Sequence, residues 1–289
     1  MIQPLFEHRL TLAGYETRVL ELEGDGVPIA LLHGYADSAD TWRQTLALLG
    51  RHGRRAIAVD LPGFGTADRL RRAAILPQLD LFADAAVRYL SGRRRQPVLA
   101  VGNSLGGCVA LRIAQRGAVP LAGVVAVAPA GLQMSRLLTL VQRDPALRSI
   151  LALPAPVPSV VVRAAVARLY RQLAFAEPGA VDRRIVSSFT WHIRHRATAA
   201  SYLDIAHRLL PELRTALLEL DRIDTPVLLV WGDRDRLVFH TGAQRLLDAV
   251  PASQLEVLEG IGHCPQIEAP VQLAELLLGF GGEPAVAAA

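Results

Sequence analysis

The fold is decided by the stretch PVLAVGNSLGG at residues 97–107. It opens as a short apolar run typical of a buried strand, and then forms the pattern Gly-x-Ser-x-Gly at Gly102, Ser104 and Gly106. An amphipathic segment of helical length, Leu105–Arg116, follows at once. A strand, a sharp turn and a helix in this order lift a serine hydroxyl off the edge of a sheet. The flanking positions must be glycine because a side chain there would strike the neighbouring strand or helix. The stretch therefore predicts a nucleophilic serine.

Apolar runs and segments of helical length alternate on both sides of this stretch. Unbroken apolar runs joined by helices predict an α/β fold, a mostly parallel central sheet covered by helices on both faces. A hairpin of two strands, residues 5–13 and 15–22, precedes the alternation. The predicted strands that follow are Ile29–Leu32, Ala56–Val59, Val98–Val101, Val124–Ala128, Val227–Trp231 and Leu255–Leu258. The predicted helices are Trp42–Leu49, Leu79–Leu90, Leu105–Arg116, Gly242–Val250 and Val271–Leu278.

The alternation is interrupted after the sixth strand. Residues 132–211 show helical patterns broken by prolines and no strand, and they are too many for a loop. We expect them to form a helical cap over one end of the sheet. Residues 1–131 and 212–280 then form one discontinuous core domain, and residues 281–289 a frayed tail. Apolar cap residues such as Leu137, Leu138 and Leu151 favour an apolar substrate.

Composition excludes several other classes of protein. With 289 residues, 51% of them hydrophobic, and a net charge of +4, the chain is neither disordered nor dependent on disulfides, since it has two cysteines. All 31 basic residues are arginine, and they are spread along the chain without a binding motif. We therefore expect solvated arginines and no nucleic-acid partner.

Neither a metal nor a membrane is expected. His192 and His195 form an isolated pair with no third ligand in view, so no metal is predicted. Charged residues near the start, among them Glu7 and Arg9, stand where a signal peptide needs an apolar stretch. No apolar run reaches the roughly 18 residues of a membrane span. A cytoplasmic protein without stable membrane insertion is the expectation.

A serine nucleophile needs a base, and the base needs an acid to orient it. His263, in the sequence GIGHCP at residues 260–265, follows the last strand at the same sheet edge as Ser104. Two carboxylates, Asp233 and Asp235, follow the strand Val227–Trp231. No acidic residue follows the strand Val124–Ala128. The residues themselves leave both aspartates open as the acid. Asp233, directly after a glycine, is the better placed to accept N–H bonds inside its own turn.

Four separated motifs resemble those of α/β-hydrolases. They are His33-Gly34-Tyr35, the sequence DLPGFG at residues 60–65, the serine turn, and Gly232-Asp233-Arg234-Asp235 paired with Gly262-His263. The resemblance covers residues ~25–280 and implies an α/β-hydrolase fold. It also implies that Asp235 is the triad acid and that Asp233 structures its loop. An oxyanion hole would come from the backbone N–H groups of Tyr35 and Leu105, while His33 would organise its loop. No cofactor is implied.

The expected function is that of a serine hydrolase. Ser104, His263 and Asp235 would cleave a carboxylic ester, or a related acyl bond, of an apolar small molecule through an acyl-enzyme. Two alternatives remain. The GNSLGG turn is similar to that of carbon–carbon hydrolases acting on ring-cleavage products. Those relatives, however, usually have a glycine-rich loop where this chain has Tyr35-Ala36-Asp37-Ser38, and an aromatic residue where it has Cys264. The other alternative is a hydrolase-fold protein that only binds a ligand. Oligomeric state is not predicted.

Overall fold

A computed structural model of the chain describes residues 3–93, 95–135, 159–179, 196–217 and 219–280. Within them, eight strands form one sheet in the order β1-β2-β4-β3-β5-β6-β7-β8. β1 pairs with β2, and β2 with β4, in antiparallel fashion. The other neighbouring pairs, β4–β3, β3–β5, β5–β6, β6–β7 and β7–β8, are parallel. The strands are β1 Leu5–Leu12, β2 Tyr15–Leu22, β3 Asp25–Leu32, β4 Arg54–Val59, β5 Val98–Asn103, β6 Leu121–Val127, β7 Val227–Gly232 and β8 Ser253–Leu258. Every predicted strand is confirmed.

Helices cover both faces of the sheet, as predicted for an α/β fold. One face carries Trp42, Leu46 and Leu277 in an apolar cluster with the strands, and the other carries the buried sides of the helices that follow β4 and β5. The helices are α1 Arg43–Arg51, α2 Ile75–Ser91, α3 Leu105–Arg116, α4 Ser159–Ala174, α5 Arg196–Leu213, α6 Gln244–Ala249, α7 Pro265–Glu268 and α8 Pro270–Phe280, with 3₁₀ turns at Ala39–Trp42, Leu220–Arg222 and His240–Ala243.

Helix α2 begins at Ile75, ahead of the predicted start at Leu79. The carboxylate of Glu212 caps it, accepting hydrogen bonds from the N–H groups of Ile75 and Leu76 at 2.8 Å each. Pro77 falls in the first turn, where the missing N–H costs nothing. Because the capping residue lies so far away in the chain, no pattern in the sequence near Ile75 indicates the cap. The apolar periodicity therefore placed the start of the helix too late.

Helices α4 and α5 lie between β6 and β7 in the chain, within the region expected to interrupt the alternation. Helix α5 continues through Pro211 to Leu213, at the expected end of that region. Leu137, Leu138, Leu151, His192 and His195 lie outside the described residues, as do residues 281–289. Among the helices that the structure describes, none combines the length and the hydropathy needed to cross a bilayer.

Candidate active site

Ser104 lies on a sharp turn between β5 and α3. Its φ of 52° is in the left-handed region that favours glycine, so the backbone is strained at this residue. A Cβ at Gly102 would lie 2.2 Å from the carbonyl of Gly106, and a Cβ at Gly106 would lie 2.2 Å from the carbonyl oxygen of Leu32 in β3. Both glycines are therefore required by backbone contacts, as the sequence predicted. The turn leaves the serine partly exposed at the carboxyl edge of the sheet.

A buried aspartate–histidine pair occupies the loops after β7 and β8. His263 Nδ1 donates to Asp235 Oδ2 at 2.7 Å, and both side chains are nearly inaccessible to solvent. The other oxygen of Asp235 accepts from the N–H groups of Leu237 and Val238 at 2.8 and 3.0 Å. Because a carboxylate only accepts, it selects the tautomer with the proton on Nδ1 and leaves Nε2 able to act as a base.

Asp233 has a different set of partners. Its Oδ1 accepts from the N–H of Gly260 at 2.7 Å and from that of Ile261 at 3.3 Å. Both donors belong to the loop after β8, so the prediction that Asp233 accepts bonds inside its own turn is wrong. The two loops lie side by side because β7 and β8 are neighbours in the sheet. Asp233 thus links the acid loop to the histidine loop, and it is Asp235 that reaches the imidazole.

Asn103 connects the serine turn to the histidine loop. Its Nδ2 donates to the carbonyl of His263 at 3.0 Å and to that of Val127 at 3.3 Å, and its Oδ1 accepts from Gln266 at 3.1 Å. Among the described residues, no hydrogen bond joins the hydroxyl of Ser104 to His263. Such catalytic bonds are commonly long until substrate tightens them. Asp235 is therefore hydrogen-bonded directly to His263, whereas the turn of Ser104 is linked to the histidine loop through the side chain of Asn103.

Two backbone donors flank the serine. A Cβ built on Gly34 would lie 3.4 Å from Ser104 Cβ, so the loop after β3 runs against the serine turn. In the described part of the chain, the N–H groups of Tyr35 and Leu105 have no hydrogen-bond partner. Leu105 N–H is the first of α3, where the helix dipole also favours negative charge. Free N–H groups at this edge are the donors that an oxyanion requires.

His33 holds the loop that carries Tyr35. Its Nε2 accepts from the N–H of Leu61 at 2.8 Å, and its Nδ1 donates to the carbonyl of Gly34 at 2.7 Å. Burial lowers the pKa of His33 to about 4, despite the opposing charge of Asp60. The imidazole is therefore neutral, and both of its nitrogens are engaged by backbone groups, so His33 organises its loop.

Comparison with known proteins identifies the family of this chain. The model of the alpha/beta hydrolase family matches residues 29–276. The chain belongs to this family.

Individual relatives include enzymes of two kinds. The chain is 26% identical over 285 residues to 2-hydroxy-6-oxo-6-(2'-aminophenyl)hexa-2,4-dienoic acid hydrolase of Metapseudomonas resinovorans, covering 95% of this chain and 90% of that protein. It is 27% identical over 269 residues to monoacylglycerol lipase ABHD6 of Mus musculus, covering 87% and 74%. A crystal structure of a bacterial membrane phospholipase A superposes with a TM-score of 0.77 at 23% identity over 96% of this chain and 85% of that one, which shows the shared fold.

This alpha/beta hydrolase also contains a buried ion-pair cluster that the sequence analysis missed. Arg18 of β2 donates to Asp60 at 3.1 Å and to Asp40 at 2.8 Å. Burial acts to raise the pKa of Asp40, but the hydrogen bonds and charge of Arg18 outweigh it and hold that pKa below its usual value. Asp60 also accepts from the N–H groups of Ala39 and Thr66 at 2.8 Å each. The cluster thus supports the loops after β3 and β4, the first of which carries Tyr35.

Proposed function

We propose that this alpha/beta hydrolase is a serine hydrolase that cleaves the carboxylic ester of an apolar small molecule. Ser104 is the nucleophile, His263 the base and Asp235 the acid. One observation carries the proposal: the hydrogen-bonded Asp235–His263 pair and the strained Ser104 turn lie at the same carboxyl edge of the sheet. A triad is recognised by this geometry and by these roles.

The reaction follows from the geometry. His263 Nε2 takes the proton of the Ser104 hydroxyl as the serine oxygen attacks the ester carbonyl. The N–H groups of Tyr35 and Leu105 bind the oxyanion, each contributing roughly 3–4 kcal/mol to transition-state stabilisation. His263 then protonates the leaving alcohol, and the acyl-enzyme remains on Ser104. Water, activated by the same imidazole, hydrolyses this acyl-enzyme and restores the serine. Asp235 stabilises the imidazolium in both halves of the cycle.

An apolar substrate is supported by the aromatic side chains beside the oxyanion loop. Tyr35, Phe64 and Tyr202 contact one another, with ring centroids 5.4 to 6.4 Å apart. The hydroxyl of Tyr35 also donates to the carbonyl of Tyr202 in α5. We propose that residues 132–211 are a cap and that α5 docks on the core through these contacts. Phe64 and Tyr202 are buried, whereas Tyr35 is partly exposed, so an acyl chain or ring bound next to Ser104 would meet the ring of Tyr35.

Carbon–carbon hydrolysis remains the second candidate, because the Metapseudomonas resinovorans relative is named for a dienoic acid hydrolase activity and aligns with 95% of the chain. The mouse relative is named as a lipase at nearly the same identity. Asn103 does not favour either of the two reactions. Its side-chain amide is already hydrogen-bonded to His263, Val127 and Gln266. Ester cleavage is preferred because it needs only the serine, the base and the oxyanion donors.

Steady-state kinetics test the proposal. The substrates are the p-nitrophenyl acetate, butyrate, octanoate and dodecanoate esters, together with one ring-cleavage dienoate, and Ser104→Ala is the matched control. We expect kcat/KM to be highest for an ester longer than acetate and turnover to be lost in Ser104→Ala. A dienoate with a higher kcat/KM than every ester would establish the carbon–carbon activity instead. No turnover of any substrate would favour a protein that only binds its ligand.

A further inference from the structure

The carboxylate of Glu268 joins two segments that lie far apart in the chain. Its Oε1 accepts a hydrogen bond from the N–H of Gly262 at 2.9 Å, and its Oε2 accepts one from the N–H of Ala176 at 2.8 Å. Gly262 directly precedes His263, whereas Ala176 lies just past the end of α4 and is 92 positions away from Glu268. Glu268 uses both oxygens on backbone donors, and neither donor takes part in the proposed reaction.

The same two segments are also in direct contact. The N–H of His263 donates to the carbonyl of Ala174 at 2.7 Å. A Cβ at Gly262 would lie 2.6 Å from the nitrogen of Ala176, so the backbones approach too closely for any side chain. Beside them, Ala174, Phe175, Cys264 and Ile267 are buried in one small apolar cluster. The histidine loop and the end of α4 are thus packed as a unit, and displacing one displaces the other.

We infer that Glu268 is a positioning residue, which holds the loop of His263 against the end of α4 and so directs the imidazole toward Ser104. The inference rests on the proposed function, because this alignment affects the rate only if His263 is the base. Asp235 fixes the ring at Nδ1, and Glu268 fixes the backbone from which the ring projects. With both ends of the residue held, the direction of Nε2 is determined.

A carboxylate suits this place better than an amide. Both backbone N–H groups need an acceptor, and the two oxygens of Glu268 supply one each, whereas glutamine offers a single acceptor. Burial raises the pKa of Glu268, while hydrogen bonds from the backbone N–H groups of Ala176, Gly262 and Cys264 counteract the rise, and the nearby charge of Asp235 adds to it. Replacement by glutamine therefore releases either Gly262 or Ala176 and loosens one side of the link.

The expected effect is on catalysis. A displacement of the reacting groups by about 1 Å costs on the order of a hundredfold in rate. Loss of one of several contacts between the loop and α4 allows only part of that movement, so Glu268→Gln is expected to lower kcat about tenfold. Substrate contacts are unchanged, and KM should stay within about twofold of the wild-type value.

The experiment compares Glu268→Gln and Glu268→Ala with Glu259→Gln. Glu259 is an exposed acidic residue of the same loop, so its replacement removes an equal charge without touching Gly262 or Ala176. Active sites are counted by end-point titration with a fluorophosphonate, and kcat and KM are measured per titrated site on the best ester. Thermal unfolding is followed in parallel. We expect a lower kcat at unchanged KM for both Glu268 variants and wild-type kinetics for Glu259→Gln.

A purely structural role gives a different result. If the Glu268 variants unfold at lower temperature but keep the wild-type kcat per titrated site, Glu268 only stabilises the fold and the inference is overturned. Should Glu268→Ala fail to fold, Glu268→Gln carries the test, because it keeps the size of the side chain and one acceptor. Wild-type protein that neither labels nor turns over esters would count against the proposed function. A labelled wild type with unaffected Glu268 variants would count against the inference alone.

Discussion

Replacing Asp235 by asparagine tests the triad in a way that the structure makes specific. Oδ1 of Asp235 accepts from the N–H groups of Leu237 and Val238, and Oδ2 accepts from His263 Nδ1. An asparagine keeps the two backbone bonds only with its carbonyl oxygen at the Oδ1 position. Its NH₂ group must then face Nδ1 of the imidazole. That group can only donate, so it forces the proton of His263 onto Nε2, where it blocks removal of the serine proton.

The magnitude follows from the same geometry. An amide that holds the wrong histidine tautomer costs on the order of 10⁴ in kcat in serine proteases, equivalent to about 5 kcal/mol of transition-state stabilisation. The stability of the fold should change little, because the N–H groups of Leu237 and Val238 keep their acceptor. We expect the free energy of unfolding to change by less than about 1 kcal/mol. The measurements are ester kinetics and urea unfolding.

Asp233→Asn is the matched control. Its carbonyl oxygen can still accept from Gly260 and Ile261, so we expect kcat within about threefold of the wild-type value and, from the weaker bonds to a neutral acceptor, a small loss of stability. The reverse pattern, in which Asp233→Asn loses about a hundredfold or more in kcat while Asp235→Asn remains active, would refute the reasoning and move the triad acid to Asp233.

Three further predictions concern the surroundings of the site. Gly262→Ala places a Cβ 2.6 Å from the nitrogen of Ala176, so kcat and the melting temperature should both fall; wild-type values would contradict the close approach. Burial raises the pKa of Asp37 to about 7, so the folded chain retains a proton that the unfolded chain loses, and Asp37 costs stability as pH rises from about 4 to 7. Asp37→Asn should therefore raise the melting temperature more at about pH 8 than at about pH 5, and an equal gain at both would contradict this sign. Glu212→Gln weakens the cap of α2 and should lower the free energy of unfolding by about 1 kcal/mol in urea titration, whereas no change would show that the cap contributes nothing.

The strands were predictable because a parallel strand buried on both faces leaves an apolar run in the sequence. Five strands were found from such runs. The antiparallel hairpin of β1 and β2 was predicted instead from two short strands around Gly14, and β8, which is partly exposed, from a weaker apolar pattern. Helix ends were harder to predict. The start of α2 depends on Glu212, which reaches it from the far end of α5. No window of local sequence contains both partners, so the periodicity placed the start near Leu79.

In the candidate site, too, residues with local contacts could be predicted and residues with distant partners could not. Gly102, Ser104 and Gly106 were evident because their contacts arise within one turn and the strand beside it. The choice between Asp233 and Asp235 required the family resemblance, since both follow the same strand. Arg18 and Glu268 could not be found. The carboxylate partners of Arg18 lie 22 and 42 positions away in the chain, and Glu268 binds backbone groups, which have no sequence signature.

Covalent labelling with a fluorophosphonate tests the central claim, that Ser104 is a nucleophile activated by His263, most directly. Intact mass and peptide mapping are measured alongside residual ester turnover. We predict a single adduct on the peptide that contains Ser104, loss of turnover in step with labelling, and no adduct in Ser104→Ala. The contradicting result is an unlabelled Ser104, or a Ser104→Ala variant that keeps more than about a thousandth of the wild-type kcat.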